Sequence, residues 1–190
     1  MSKNTKNSFL MNYKEADAEG RFKLMMNNYA IFPKEIRKAE KKLQFKIKAE
    51  QEWARSQARD ELGVRVQKSK LGDQTANEAI TNVMIEEAFD IGYLDKSILK
   101  GIADTCEFEE EFHLICVMKM DFELLGELIE GLPVYDSKLM KMRFVQGLFY
   151  KEIADSESTT YEAVKRRIER ICKEIKDEIL EYLEMNFERK

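Results

Sequence analysis

Few side chains in this sequence are placed to do chemistry, and those few point to binding rather than catalysis. The single histidine, His113, has no cysteine or carboxylate at ligand spacing on the apolar side of its segment, so a structural role is expected of it. Cys106, Cys116 and Cys172 are odd in number and form no C-x-x-C pair. Nucleophile elbow, phosphate-binding glycine loop and zinc signature are all lacking. An enzyme would have to work through carboxylates scattered over helices, so no catalytic residue, metal or cofactor is expected. The promising cluster lies behind Thr160, where Tyr161, Glu162, Lys165, Arg166, Glu169, Arg170 and Lys173 follow at helical spacing. Side chains of these kinds hydrogen-bond to base edges and phosphate oxygens.

Such a cluster works only if a helix presents it. Val164, Ile168, Ile171, Ile175 and Ile179 recur every three or four residues, and the Thr160 hydroxyl can cap the helix they predict. Stepping about 100° per residue from Val164 puts Glu162, Arg166, Glu169, Arg170 and Lys173 on the opposite side, flanked by Tyr161 and Lys165. Glu162 with Arg166, and Glu169 with Lys173, are four apart and would stabilise any exposed helix by about 0.2–0.5 kcal/mol per pair. Charge alone therefore also fits a solvated face. Upstream, Asp136 can cap a short helix over SKLMKMRFVQG with Leu139, Met142 and Phe144 or Val145 inward, ended by Gly147. Phe149–Asp155 predicts a second short helix with Ile153 and Ala154 inward, the small Ala154 letting two steeply crossed helices approach. Ser156–Thr159 is then the turn. This is the layout of a helix-turn-helix, whose last helix reads the major groove with its first turns. There, Glu162 would accept from a cytosine amino group, and Tyr161 would either meet a thymine methyl or sugar or pack on the neighbouring helix.

The remaining elements are also helical by pattern. Apolar residues make up 44% and charged residues 36%, with eight Gly and two Pro, which favours an all-α fold of long helices over a turn-rich β fold. A loose arm, Met1–Asn12, leads to a short helix near Lys14–Tyr29. Pro33 introduces a helix over Lys34–Leu62, with Ile36, Leu43, Ile47 and Ala54 near one face and Phe45, Ala49 and Trp53 in a second stripe. Gly63–Asp73 reads as a linker or crossing loop. Thr75 and Glu78 form a capping box ahead of Ala79, Ile80, Val83, Met84 and Phe89, and Gly92 interrupts. A short helix near Asp95–Ala103 precedes a longer one at Glu107–Glu130, striped by Phe108, Phe112, Ile115, Met118, Phe122, Leu125 and Ile129.

Charge is unevenly distributed. Residues 1–70 hold 17 basic and 9 acidic side chains, residues 71–135 hold 3 and 15, and residues 136–190 hold 12 of each. The acidic middle is a poor DNA surface and could face a basic protein, whereas the two ends can meet phosphate. The expected organisation is a basic N-terminal helical part with linker at 1–73, an acidic helical region at 74–132 and, after the Gly131/Pro133 break, a helix-turn-helix domain with an extended C-terminal helix at 133–190. No apolar leader suggests export and no run of about 18 apolar residues suggests a membrane span, so a cytoplasmic protein without membrane contact is expected.

The stretch GLFYKEIADSESTTYEAVKRRI resembles region four of bacterial sigma factors, in which a Gly-hydrophobic-x-aromatic-x-Glu-Ile-Ala helix is followed ten residues after the Ala by an anchoring Val. Ala154 and Val164 keep that spacing, over about Tyr135–Lys176. The family turn carries an apolar residue, Gly and another apolar residue, whereas this chain has Glu157, Ser158 and Thr159. Without Gly, a positive φ there would cost about 1 kcal/mol. The wider order, a charged N-terminal helix, then GVRVQKSKLGDQTANEAI, then the sigma-like unit, resembles phage and prophage transcription activators of the RinA and ArpU type. That resemblance implies a sequence-specific regulator acting with host RNA polymerase. Double-stranded DNA is the expected partner, and the N-terminal helices would contact RNA polymerase, a second copy of the chain in a homo-oligomer, or flanking DNA. Two other readings stay open: a sigma-like factor, and a helical protein-interaction adaptor without DNA binding.

Overall fold

The computed structural model describes residues 9–60 and 74–188. Every regular element among them is helical and no strand occurs, as the composition predicts. The single helix expected near Lys14–Tyr29 is two, α1 (Phe9–Glu15) and α2 (Ala18–Asn27). Asp17 makes the break: its backbone is extended, and its carboxylate accepts the Gly20 N–H at 2.7 Å, capping α2. A Cβ on residue 20 would lie 2.8 Å from that carboxylate oxygen, so glycine lets the cap close. Helix therefore begins within the stretch assigned to a loose arm, whose first eight residues lie outside those described.

Helix α3 (Phe32–Asp60) carries Pro33 in its first turn, where the missing N–H costs nothing. It buries Ile36, Leu43 and Ile47, while Phe45, Ala49 and Trp53 face outward. The predicted linker Gly63–Asp73 lies outside the described residues. Helix α4 (Gln74–Ile91) starts ahead of Thr75, which is thus inside the helix rather than its cap. It buries Ile85, Ala88 and Phe89, turning Ile80 and Val83 to solvent, and Gly92, at φ +76°, ends it. The helix expected near Asp95–Ala103 is instead a run of tight turns, with the Ile98 and Leu99 N–H groups bonded to the Asp95 and Lys96 carbonyls at 3.0 and 3.2 Å. The Asp95 carboxylate takes the Ser97 N–H at 2.7 Å, a local bond that competes with helix. Helix α5 (Cys106–Glu130) then matches its predicted span almost to the residue.

Packing divides the chain into two units, Met1–Ile36 with Val117–Lys190, and Arg37–Cys116. Within Arg37–Cys116, basic and acidic segments answer each other. Lys41 pairs with Glu86 at 2.7 Å, Lys46 with Glu111 and with Glu107 at 3.8 Å, and Phe89 stacks on Phe112 at 4.8 Å. Part of the acidity of the middle region is thus met inside the protein.

The other unit has a polar triad at its centre. Tyr13 donates to Asp121 at 2.5 Å, and the Arg21 guanidinium lies 3.9 Å from the same carboxylate and 5.0 Å above the Tyr13 ring. All three are almost wholly buried. Burial, then the Asp121 charge, pushes the Tyr13 phenol far above its ordinary pKa, so it remains a donor. These bonds join α1, α2 and α5, and Phe32 stacks on Phe122 beside them at 4.8 Å. No helix among the described residues is long and apolar enough to cross a membrane.

Candidate nucleic-acid interface

Helix α6 (Val134–Met140) follows Pro133, so it begins ahead of Asp136. Asp136 is therefore not the cap. It sits in the first turn, buried, and accepts from the Arg167 guanidinium. Beyond Met140 the helix widens into a π turn (Lys141–Val145), in which the Gln146 N–H reaches the Lys141 carbonyl at 3.0 Å. Leu139, Met140 and Met142 are buried, Phe144 is half-buried and Val145 is exposed, so Phe144 is the inward member of that pair. Gly147, at φ +73°, ends the segment. Arg143 then donates to the Leu148 carbonyl at 3.1 Å and lies 4.8 Å over the Tyr150 ring, holding the connection to the next helix.

Helix α7 (Tyr150–Ser156) is closed at its start by Glu152, whose carboxylate accepts the Phe149 N–H at 2.6 Å. Ile153 and Ala154 are buried as predicted. The turn that follows is polar but tied down. Ser158 adopts φ +52°, the one positive value at a non-glycine among the described residues, and the Thr159 N–H closes the turn onto the Ala154 carbonyl at 3.0 Å. Glu157 pairs with Lys138 of α6 at 2.6 Å, so this carboxylate is not left to repel phosphate.

Helix α8 (Tyr161–Glu188) is capped by Thr160, whose Oγ1 accepts the Ala163 N–H at 3.3 Å. Val164, Ile168, Ile171, Ile175, Ile179 and Leu183 are buried against α2, α6 and α7. Arg167 pins the near end: it donates to Asp136 while the Tyr135 ring lies 4.7 Å from its guanidinium. Lys176 pins the far part, bonded to Glu19 of α2 at 2.8 Å.

All eight residues singled out from the sequence are exposed, Thr160 at the cap and Tyr161, Glu162, Lys165, Arg166, Glu169, Arg170 and Lys173 along the first half of α8. The ion pairs differ from the expected ones. Lys165 pairs with Glu169 at 3.8 Å and Arg170 with Glu174 at 3.6 Å, leaving Arg166 and Lys173 without an ion pair among the described residues. Tyr161 meets Tyr150 edge-to-face at 6.0 Å yet is 44% exposed, so it packs on α7 and still offers its outer edge. The charge of the exposed face reverses along the helix: after Lys173 come Glu174, Asp177, Glu178, Glu181 and Glu184, all exposed. Sequence reasoning missed the supports Arg167, Arg143 and Lys138. Arg167 was detectable, since it lies beside the Val164–Ile168–Ile171 stripe, where a fully solvated cation is out of place.

Among the described residues no group of three or more His, Cys, Asp or Glu side chains could hold a metal ion. Burial pushes the Cys172 thiol up to about 11, and the Glu110 charge raises that of Cys106, so both favour the unreactive protonated form.

A short helix, a tight turn and a longer helix whose first turns present cations and hydrogen-bonding groups to solvent define a DNA-binding helix-turn-helix module. In agreement, the family model for sigma-70 region 4 matches residues 122–175, from the second half of α5 to the middle of α8. The match covers roughly a quarter of the chain. No curated protein and no solved structure matches the chain significantly. The C-terminal part is thus a sigma region 4-like helix-turn-helix, a fold of the kind that DNA-binding regulatory domains use.

Proposed function

We propose that this protein is a sequence-specific DNA-binding transcription regulator, a phage or prophage activator of the RinA/ArpU type that works with host RNA polymerase. The DNA-reading part is residues 133–190, and the first half of α8 enters the major groove. The supporting observation is the exposure of Tyr161, Glu162, Lys165 and Arg166 on a helix start held from behind by Thr160, Arg167 and Asp136. Tyr161, Glu162, Lys165 and Arg166 face base edges, and Arg170 and Lys173 grip phosphate further along. The acidic second half of α8 must stay off the backbone, which limits insertion to the first turns. Recruitment of polymerase by a bound activator is the mechanism.

The test is fluorescence anisotropy of the full chain on duplexes tiled across its own upstream DNA, followed by salt titration on any duplex bound. Lys165→Ala with Arg166→Ala should lower specific affinity by at least tenfold, each base-reading contact being worth about 1–3 kcal/mol. Each lost phosphate contact should make the salt slope shallower by about 0.9. The control pair is Lys96→Ala with Lys100→Ala, both exposed in the turns after α4. Arg143 is unsuitable as a control because it holds the loop before α7. Absence of any shift at low salt would leave the adaptor reading, and initiation by core polymerase with no other sigma present would make the chain a sigma-like factor.

A further inference from the structure

The outward stripe of α3 has no role in the function proposed above. Phe45 and Trp53 are 64% and 57% exposed, far more than a helix needs for packing that Ile36, Leu43 and Ile47 already supply from the opposite side. Stepping 100° per residue from Phe45 places Arg37, Lys42, Lys48, Trp53 and Arg55 within about 80° of it, on one face some 27 Å long at 1.5 Å per residue. Lys48 Nζ lies 5.7 Å from the Phe45 ring. Of α3's own carboxylates, Glu52 is exposed on this face between Phe45 and Trp53. Glu86 of α4 reaches its edge through Lys41 at 2.7 Å, so Lys41 is spoken for and Arg37, Lys42, Lys48 and Arg55 are the cations that count. The chain that follows, residues 61–73, contributes Arg65, Lys68 and Lys70 against Glu61 and Asp73, so it brings no neutralising charge.

From this arrangement we infer that α3 carries a second nucleic-acid site, one that takes single-stranded DNA. Cations spaced along a helix face suit a continuous polyanion, whereas an apolar protein groove would leave them desolvated and unpaired. The rings decide between duplex and single strand. A base face can stack on an exposed aromatic side chain only when the base is unpaired, and stacking of this kind tolerates any sequence. The pair Phe45 and Trp53, about 12 Å apart along the axis, would receive two bases of one strand while Arg37, Lys42, Lys48 and Arg55 follow its phosphates. Choosing DNA over RNA rests on the function proposed above; the site itself does not.

Trp53 is the sole tryptophan in the chain, so its fluorescence reports on this face directly. Titrating the full-length protein with oligo(dT) at low salt should quench Trp53, and a labelled oligo(dT) should bind with matching affinity by anisotropy. Phe45→Ala, at an exposed position, should weaken that binding about tenfold, the loss of one stacked base. Lys165→Ala with Arg166→Ala should leave it unchanged, which separates this site from α8. The inference is overturned if oligo(dT) neither quenches nor binds, if Phe45→Ala binds as wild type, if a short duplex of random sequence quenches equally well, or if oligo(U) binds as tightly as oligo(dT).

Discussion

Replacing Ser158 with glycine should stabilise the DNA-binding module. At φ +52° an L-residue bears a steric cost of about 1–2 kcal/mol that glycine does not. Against this, glycine adds about 0.4–1 kcal/mol of unfolded-state entropy to be lost on folding. The Ser158 side chain is exposed, and its N–H bond to the Asp155 carbonyl, at 3.4 Å, is kept by glycine. The net gain is about 0.5–1 kcal/mol, or a rise in midpoint of about 1–4 °C for a chain of this size. Thermal unfolding followed by far-ultraviolet circular dichroism measures it, with Ser158→Ala as the companion that keeps a Cβ and should stay within about 0.5 kcal/mol of wild type. Equal or lower stability of Ser158→Gly, or an equal gain from Ser158→Ala, would refute the reasoning, because the turn would then be relaxed with a side chain in place.

Other consequences are testable in the same preparation. Arg167→Ala removes the charged donor of buried Asp136, which should cost about 1–3 kcal/mol in urea unfolding and lower DNA affinity although Arg167 itself faces α6; Asp136→Asn with Arg167→Ala should recover part of the stability. Glu19 supplies a pH signature. Hydrogen bonds from Lys176 and Lys23 hold its carboxyl down at about 2 against an ordinary 4.5, so the stabilisation is complete above pH 4.5 and disappears as pH falls towards 2. Glu19→Gln should flatten that part of the acid-unfolding curve by lowering the midpoint modestly at neutral pH, with variant and wild type converging as pH approaches 2.

The sequence was most legible where one apolar period ran long. The Val164 to Ile179 stripe, its Thr160 cap and the span of α5 could be read because each rests on local chemistry repeated over several turns. Reading failed where a polar side chain had a choice of partner. Asp136 looks like a cap and is instead the buried acceptor for Arg167, 31 residues away; Asp17 caps α2 where a continuous helix was expected; Asp95 favours turns over helix. The stripe Phe45, Ala49 and Trp53 was visible as a period, but periodicity alone does not say which of two stripes a helix buries. Pairing between basic α3 and the acidic helices lay beyond sequence reading because Lys46 and Glu111 are brought together only by the fold. The eight residues on α8 were legible as a face, and the structure adds what holds that face still.

The unit containing α8 is assembled from both ends of the sequence. Helix α2, made well before α8, packs on it, and Glu19 waits for Lys176, 157 residues later. A ribosome therefore releases α2 long before its partner exists, while Arg37–Cys116 can form in between. Prematurely terminated chains would contain the basic α3 but lack a complete α8. Such fragments would lack the exposed face of α8 on which the proposed DNA contact depends.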